Sequence, residues 1–437
     1  MTKKYDAIII GAGIVGCATA FELAKKGYKT LNIDKLESAG AGSTINSCAI
    51  VRAHYSTYDG VAMAYDNFFY WQNWEDYLET EDERGIAKFM NVGTILLKTQ
   101  GHNWRRVAEL YRELGVEHEE WDVTALKQQI PVFSTKSYYP PAAPEDEDNS
   151  FWQDSEVDLP GAIFTSGSGY VNDPQLATHN IQVAAEARGG EFIFNKEVVA
   201  IRQENGRVLG ITLNDGQEID APIVVNAAGP HSFIINRMAG VEEGMNIKTR
   251  AMRHEVHHVP SPEGFDFLND GFHTSDGDAG IYFRPETGNT ILVGSEDPDC
   301  DPHEWIEDPD DFNRELTDER WRAQVYRLAR RIPDLPIPRR PRGLVDLYDV
   351  SDDWLPIYDK SDLKGFYMAV GSSGHEFKNA PGVGLMMAEL IEACEKGHDH
   401  DKDPLHFTTR YTNFKLNIGF YSRLRKINPD SSFSVNG

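Results

Sequence analysis

Apolar and polar positions at the start of the chain predict a strand, a helix and a second strand. Residues 5–10 form a short, mostly apolar run rich in isoleucine, which is typical of a buried parallel strand. Residues 17–26 show helical periodicity, and Gly27 ends the predicted helix. Residues 29–33 are mostly apolar again. The pattern therefore predicts a β–α–β unit at the N-terminal end of the chain.

Short apolar runs separated by turn signals continue through the middle of the chain. The dipeptides Asn205-Gly206 and Asp215-Gly216 are typical of hairpin turns. Residues 223–229 predict a buried strand that ends in small side chains. The other predicted strands are residues 198–201, 209–213, 218–219, 251–259, 280–283 and 291–294.

Three glycines, Gly11, Gly13 and Gly16, lie between the first predicted strand and its helix. The first allows a tight turn, the second lets the backbone approach a pyrophosphate, and the third lets the helix pack closely on the strand. Asp34 ends the second strand, where an acid accepts hydrogen bonds from ribose hydroxyls and disfavours a 2′-phosphate. These features together predict a dinucleotide site, without deciding between NAD and FAD.

Length and charge narrow the class of protein. The chain has 437 residues, enough for two domains, and 40% of them are apolar, as in ordinary globular proteins. Its formal net charge of −26 would repel phosphate backbones and anionic membrane surfaces, so we expect no nucleic-acid partner. No run outside the first strand and helix is long and apolar enough to predict a membrane span.

Cysteines and histidines offer little further chemistry. Four cysteines, none in a CxxC pair, predict free thiols in a reducing compartment, and we expect a cytoplasmic protein. Residues 8–20 also resemble a signal peptide, but that interpretation explains none of the glycines. His254, His257 and His258 do not share one face of a strand, so we expect no metal site.

Five blocks of sequence resemble the D-amino acid oxidase superfamily of FAD enzymes. Within it, the similarity is greatest to the group of the sarcosine oxidase beta subunit and dimethylglycine dehydrogenase. The blocks together span residues 8–390, and the second and the last of them are the most specific. They are residues 11–16 with Asp34, residues 43–44 through Arg52 and Tyr55, residues 169–174, residues 225–230 and residues 371–378.

The resemblance implies an α/β fold with two domains. One is a Rossmann-type FAD-binding domain built from discontinuous segments, and the other is a substrate domain with a mostly antiparallel sheet. The tail is more basic than the rest of the chain and is suited to docking on an acidic body or on a second subunit. We assign residues 1–85, 155–235 and 336–400 to the FAD-binding domain, residues 86–154 and 236–335 to the substrate domain, and residues 401–437 to the tail.

The resemblance also assigns residues to the chemistry. It makes Arg52 and Lys378 the partners of a substrate carboxylate, which suits a bidentate guanidinium and a second cation. It makes Tyr282, and more weakly Tyr55, an aromatic wall or hydroxyl over the flavin, and puts His375 near flavin and substrate. The competing interpretations are a structural ion pair for Arg52, a surface lysine for Lys378 and core tyrosines.

Several positions depart from the family pattern. Asn46 stands where some relatives attach FAD through a histidine, and residues 344–349 contain no cysteine where others attach it, so we expect non-covalent FAD. Leu292 stands where the sarcosine oxidase type has the lysine at which oxygen reacts, which makes a dehydrogenase plausible. Glu296 lies near the position of a family histidine. Its alternative roles are a base, a partner of a cationic amine or a solvated acid.

The implied function is oxidation of the C–N bond of a small N-methylated or secondary amino acid by hydride transfer to FAD, followed by imine hydrolysis. The alternatives are a D-amino acid or glycine-type deaminating oxidase, and the flavin subunit of a hetero-oligomeric dehydrogenase that passes electrons to an acceptor or partner subunit. The residues expected to hold FAD are Gly11, Gly13, Ile14, Val15, Gly16, Asp34, Lys35, Gly42, Ser43, Thr44, Ser47, Val199, Ala228, Gly229, Gly374, His375, Phe377 and Lys378.

Overall fold

The computed structural model describes residues 4–146 and 150–437. Residues 1–3, predicted as part of the first domain, and residues 147–149, predicted as part of the second, lie outside the described residues. The helices are α1 (Ile14–Lys25), α2 (Tyr58–Gln72), α3 (Trp74–Leu78), α4 (Trp104–Leu114), α5 (Val123–Gln129), α6 (Pro174–Glu186), α7 (Ser232–Ala239), α8 (Phe267–Asp270), α9 (Asp318–Arg331) and α10 (Ala380–Glu395).

The strands are mostly short. They are β1 (Ala7–Ile10), β2 (Thr30–Ile33), β3 (Ile50–Val51), β4 (Phe89–Met90), β5 (Thr94–Leu97), β6 (Glu119–Trp121), β7 (Ala162–Thr165), β8 (Gly169–Val171), β9 (Glu191–Ile193), β10 (Val198–Glu204), β11 (Arg207–Leu213), β12 (Glu218–Asp220), β13 (Ile223–Asn226), β14 (Thr249–Pro260), β15 (His273–Asp276), β16 (Ile281–Glu286), β17 (Thr290–Ser295), β18 (Glu304–Ile306), β19 (Gly343–Ser351), β20 (Ile357–Lys360), β21 (Phe366–Val370), β22 (His406–Thr408) and β23 (Lys415–Asn417).

The first sheet has six strands in the order β20-β21-β13-β1-β2-β9. Its strands are parallel except for β20, which runs antiparallel to β21. Both faces are covered: Ala7 and Ile9 of β1 belong to one apolar cluster with α1 and α10, whereas Ile8 and Ile10 belong to another with β10, β11 and α7. Burial on both faces explains why β1 is a continuous apolar run, and the predicted β–α–β unit is confirmed.

The second sheet has nine strands and is mostly antiparallel. The strands predicted at residues 251–259, 280–283 and 291–294 are confirmed as parts of β14, β16 and β17. β7 and β19 also pair within this sheet, although their residues fall in the ranges predicted for the first domain. The chain therefore crosses between the two sheets several times, and the overall fold is α/β as predicted.

The C-terminal tail docks on the chain's own acidic residues. The Arg423 guanidinium is buried and donates to Asp359 at 3.1 Å, to Asp401 at 2.8 Å and to Asp362 at 2.5 Å. Arg425 donates to both carboxylate oxygens of Asp353, at 2.9 and 2.7 Å. The sequence suggested two docking surfaces for the tail, an acidic body or a second subunit. In the structure, the tail docks on the acidic body of its own chain. Within residues 4–146 and 150–437, no helix has the length and apolar character needed to cross a membrane.

Candidate active site

A cavity of about 490 Å³ lies between the carboxyl ends of the first sheet and one face of the second. Open parallel sheets bind ligands at this edge, because the loops that follow the strands meet there. We name its two parts by their residues. The dinucleotide end contains Gly11 and Asp34, and the substrate end contains Arg52 and Lys378.

The glycines of the dinucleotide end are required by close backbone contacts. Gly11 has a φ of 108°, and a Cβ there would meet the Ala227 carbonyl oxygen at 2.3 Å. A Cβ on Gly16 would meet the Gly11 carbonyl oxygen at the same distance. Strand, turn and helix are therefore packed backbone to backbone, which is the geometry that the sequence motif predicts.

The start of α1 is left open for an anion. The helix begins at Ile14, its N-cap Gly13 has no side chain to cap it, and its first turn holds no acid. The Ile14 N–H donates to the Thr44 hydroxyl at 3.3 Å, and the positive end of the helix dipole is directed at the cavity, which Ile14 and Val15 line. The Asp34 carboxylate accepts from the backbone N–H groups of Ala12 at 2.7 Å and Leu36 at 2.9 Å, so it fixes the glycine loop beside the ribose position.

Most of the predicted cofactor residues line the cavity, with two exceptions. Gly16 lies behind the loop, and the side chain of Val199 is 46% exposed, whereas its neighbour Val198 lines the cavity. The alternation of a strand explains the second difference, since adjacent residues face opposite sides. The predicted residues in the wall are Gly11, Gly13, Ile14, Val15, Asp34, Lys35, Gly42, Ser43, Thr44, Ser47, Ala228, Gly229, Gly374, His375, Phe377 and Lys378.

The substrate end brings two cations to one aromatic ring. The Arg52 guanidinium carbon lies 4.8 Å from the Tyr55 ring centre, and the Lys378 Nζ lies 4.9 Å from it. Arg52 follows β3 and Lys378 precedes α10, so the topology joins side chains more than 300 positions apart. Both cations are buried, with exposed fractions of 5% and 2%, which removes the surface-lysine interpretation of Lys378.

Burial makes this pair of cations costly in the absence of an anion. Burial, and then repulsion by Arg52, lower the pKa of the Lys378 amine well below its usual value. The Lys378 Nζ donates to the His375 carbonyl oxygen at 2.5 Å, and Arg52 donates to the carbonyl oxygens of His54 and Val435. Carbonyl oxygens neutralise neither charge, and the buried Glu376 carboxylate, which accepts hydrogen bonds from Tyr358 and Asn379, offsets the charge of Lys378 only in part. An entering carboxylate would satisfy both cations.

His375 is held by hydrogen bonds on both ring nitrogens. Its Nδ1 lies 2.9 Å from the Glu376 carboxylate, and its Nε2 donates to the Trp354 carbonyl oxygen at 2.8 Å. Burial lowers the pKa of this imidazole despite the nearby Glu376. The Tyr55 hydroxyl donates to the His375 carbonyl oxygen at 3.2 Å, so Tyr55 supports the wall from behind.

A chain of aromatic hydroxyls forms another wall of the cavity. The Tyr282 hydroxyl lies 3.4 Å from the Cys48 Sγ and 3.5 Å from the Tyr348 hydroxyl, and Tyr348 stacks on His254. A Cβ on Gly294 would meet the Tyr282 ring at 2.4 Å, so the missing side chain makes room for the tyrosine. Burial raises the pKa values of both tyrosines, which therefore keep their protons.

Glu296 lies behind the wall and not in it. Its carboxylate accepts a short hydrogen bond from Ser275 and pairs with the His102 Nε2 at 2.8 Å. Burial lowers the pKa of the His102 imidazole, but the charge and the hydrogen bond of Glu296 together raise it by more. The pKa of His102 is therefore above its usual value. Glu296 therefore orients Ser275, which lines the cavity, and is neither solvated nor directed at a ligand.

Sequence reasoning missed several residues of the substrate end: His273, Ser275, Tyr348, Val435 and Asn436. The spacing of His273 and Ser275 on β15 was an available signal, because alternate residues of a strand share a face. The other three offered none, since nothing in the chain near Val435 indicates a contact with Arg52, 383 positions away. Within the described ranges, no three potential metal ligands come together, and His257 bonds to Gln324.

The fold and the site define the class of this protein. It has a parallel sheet, a glycine loop and an acid after the second strand, and it is therefore an α/β dinucleotide-binding protein. The chain belongs to the DAO family of FAD-dependent oxidoreductases, whose family profile matches residues 6–390. It is thus an FAD-dependent oxidoreductase, as the resemblance implied. The open helix start and the glycine loop, which a Cβ would fill, fit this cofactor.

Known relatives cover most of the chain at low identity. The chain is 25% identical to the sarcosine oxidase subunit beta of Rhizobium meliloti, covering 89% of this chain and 84% of that protein. It is 24% identical to the glycine oxidase of Geobacillus kaustophilus, covering 91% of this chain and 96% of that protein. The solved structure of L-proline dehydrogenase from P. horikoshii matches with a TM-score of 0.74 at 22% identity, covering 97% of this chain and 98% of that chain.

Proposed function

We propose that this protein oxidises the C–N bond of a small N-methylated or secondary amino acid of the sarcosine or dimethylglycine kind. The observation that carries the proposal is the pair of buried cations, Arg52 and Lys378, at the Tyr55 ring. Two buried cations that face one cavity favour an anion, and the carboxylate of an amino acid supplies one. The sarcosine oxidase and proline dehydrogenase names of the relatives support a secondary amino acid, whereas the glycine oxidase name supports a small amino acid in general.

The chain's own residues position the substrate. Bound FAD supplies the hydride acceptor, and the imine that results is hydrolysed by water. Arg52 and Lys378 hold the carboxylate, which fixes the α-carbon and the nitrogen relative to the cofactor. Tyr282 and Tyr348 close the wall, exclude bulk water and offer hydroxyl protons as hydrogen-bond donors, because their raised pKa values keep them neutral.

Leu292 supports a dehydrogenase over an oxidase. It lies on β17 with an exposed fraction of 3%, and it pairs with Arg284 of β16. Leu292 packs behind Val256 and Tyr282 of the cavity wall, and at the position where the resemblance places the lysine that reacts with oxygen it provides no cation. The flavin subunit of a hetero-oligomeric dehydrogenase is therefore our second candidate function, and the subunit beta relative favours it. A D-amino acid or glycine-type deaminating oxidase is the remaining alternative.

The test is an anaerobic titration of the holoenzyme, followed by its absorbance spectrum. Sarcosine, dimethylglycine, proline, glycine and D-alanine are added separately, and we expect a secondary or N-methylated amino acid to bleach the flavin band. Lys378→Met should weaken bleaching, whereas Lys127→Met, at an exposed position of α5, should not. Bleaching by glycine and D-alanine alone would transfer support to the deaminating oxidase. If the flavin colour returns slowly in air but quickly when an artificial electron acceptor is added, the protein is a dehydrogenase.

Non-covalent attachment of FAD is part of the proposal. Asn46 donates from its side-chain amide to the Asp346 carboxylate at 2.5 Å, so the position matching the family histidine is hydrogen-bonded to the stretch, residues 344–349, that lacks the family cysteine. Neither side chain is a nucleophile suited to a flavin bond. Acid precipitation should release all flavin absorbance into the supernatant. Yellow colour that stays with the precipitated protein would contradict non-covalent binding.

A further inference from the structure

The last residues of the chain occupy the substrate end of the cavity. We call residues 431–437 the C-terminal clasp. The Val435 carbonyl oxygen accepts a hydrogen bond from the Arg52 guanidinium, and the Gly437 carbonyl oxygen accepts one from the Ser56 hydroxyl at 2.8 Å. Val435 and Asn436 both line the cavity, and the Asn436 amide lies 3.3 Å from the His102 Nε2. The clasp therefore covers the cation that the proposed function gives to the substrate.

The chain before the clasp is firmly anchored. Arg423 makes charge-assisted hydrogen bonds to three carboxylates, and Arg425 makes a bidentate pair with Asp353. Such bonds are about twice as strong as those between neutral groups. The tail therefore stays on the body of the protein when its last residues move.

The clasp itself is held more weakly. The Val435 side chain is 6% exposed and packs in the apolar cluster of Met252, Tyr282 and Trp354. Apart from the bond from Arg52, the hydrogen bonds that join the clasp to the described part of the body are between neutral groups or to a histidine. A carboxylate is a better partner for a buried guanidinium than a carbonyl oxygen, because it is charged.

We propose that the carboxylate of the substrate replaces the Val435 carbonyl oxygen on Arg52, and that the C-terminal clasp opens to let it in. The second Arg52 donor keeps its bond to the His54 carbonyl oxygen. Occupation of the site and position of the clasp are then linked equilibria. This inference rests on the proposed role of Arg52 as the partner of the substrate carboxylate.

The test measures the accessibility of position 435 in the holoenzyme. In Val435→Cys, the thiol replaces a buried side chain of similar character, and its alkylation by N-ethylmaleimide reports opening. Trypsin cleaves after Lys426, so the peptide of residues 427–437 reports this cysteine alone by mass spectrometry. Ile427→Cys, at a position 48% exposed in the same peptide, is the matched control. The probes are acetate and pyrrole-2-carboxylate, with acetamide as the uncharged comparison.

We expect both carboxylates to shift the flavin spectrum and to raise alkylation of the introduced thiol in the Val435→Cys chain about tenfold over the same concentration range. Alkylation of the control cysteine should not change, and acetamide should have no effect on either. A spectral shift that saturates without faster alkylation of the Val435→Cys chain would overturn the clasp and leave the proposed function intact.

A second variant separates the remaining outcomes. A chain ending at Asp430 keeps Arg423 and Arg425 and lacks the clasp, so its affinity for acetate should rise about tenfold. Unchanged affinity would contradict the inference. Binding to this variant and not to the full chain would support a closed clasp. If acetate binds to neither chain, Arg52 is not the partner of a carboxylate. That result would overturn the proposed function together with the inference.

Discussion

The two ends of the cavity are built in different ways. The dinucleotide end depends on the backbone: Gly11 and Gly16 allow peptide groups to touch, and α1 offers its N–H groups. The substrate end depends on charged side chains, chiefly Arg52 and Lys378, from distant parts of the chain. The comparison teaches that cofactor binding is coupled to the integrity of the fold, whereas substrate binding depends on electrostatics and can be altered separately.

The largest expected effect is that of Gly11→Ala. The new Cβ would meet the Ala227 carbonyl oxygen, so we expect a loss of about 3 kcal/mol or more in the free energy of unfolding of the apoprotein. Gly13→Ala meets only the Thr44 hydroxyl, at 3.2 Å, and should mainly reduce FAD content. Thermal unfolding and bound flavin measure the two effects. Equal stability of both apoproteins would break the link between cofactor site and fold.

The next effect is that of Arg52→Ala on substrate binding. Removing a buried, charge-assisted contact should cost about 2–4 kcal/mol of binding free energy, which is measured as a higher KM for the substrate. FAD should stay bound. Arg112→Ala, at an exposed position of α4, is the control. An unchanged KM for the best substrate would exclude Arg52 from the site, and a loss of FAD would mean that the two ends are not separable.

The charge of Lys378 makes substrate binding depend on pH. Only the protonated amine attracts a carboxylate, and its pKa is lowered in the free site, so binding takes up a proton. The affinity for acetate should fall up to about tenfold per pH unit as the pH rises above that lowered pKa. Lys378→Met should remove this dependence. The FAD content of the wild type should stay constant over the same range, and a parallel decline would contradict the comparison.

The smallest effect concerns Asp349, which lies in the cavity wall and accepts hydrogen bonds from Ser232 at 2.7 Å and from the Gly371 N–H at 2.6 Å. Burial raises the pKa of this carboxyl to about 7. The folded protein therefore keeps a proton that the unfolded chain loses near pH 4, and this contribution to stability is lost as the pH rises to 7.

Asp349→Asn has no proton to lose. The wild-type apoprotein should lose about 1 kcal/mol of stability relative to this variant over the single pH unit between 4 and 5. Urea unfolding at the two pH values measures the difference. A constant gap would mean that Asp349 is already ionised in the folded protein at low pH.

The features that could be predicted from the sequence divide in the same way between the dinucleotide end and the substrate end of the cavity. The dinucleotide end was predictable because strand, glycines, helix and acid are contiguous, and local sterics dictate the turn. The strands of the second sheet were predictable from their apolar runs. Val435 was not, because its place depends on how the tail packs over Arg52, and Glu296 was interpreted without the partners, His102 and Ser275, that bury it. Long-range packing carries no mark in a single sequence.

The origin of the substrate wall in separate chain segments also bears on how such proteins diverge. Arg52, Tyr282, Lys378 and Val435 belong to four segments, none of which includes the glycine loop. Mutation of the segments that hold Arg52, Tyr282 or Val435 can therefore reshape what the site accepts while the cofactor remains bound, whereas the segment of Lys378 also contains residues expected to bind FAD. Relatives near one-quarter identity that carry sarcosine, glycine and proline in their names are what such modular drift would produce. For enzyme engineering, the last seven residues are then the segment to randomise first.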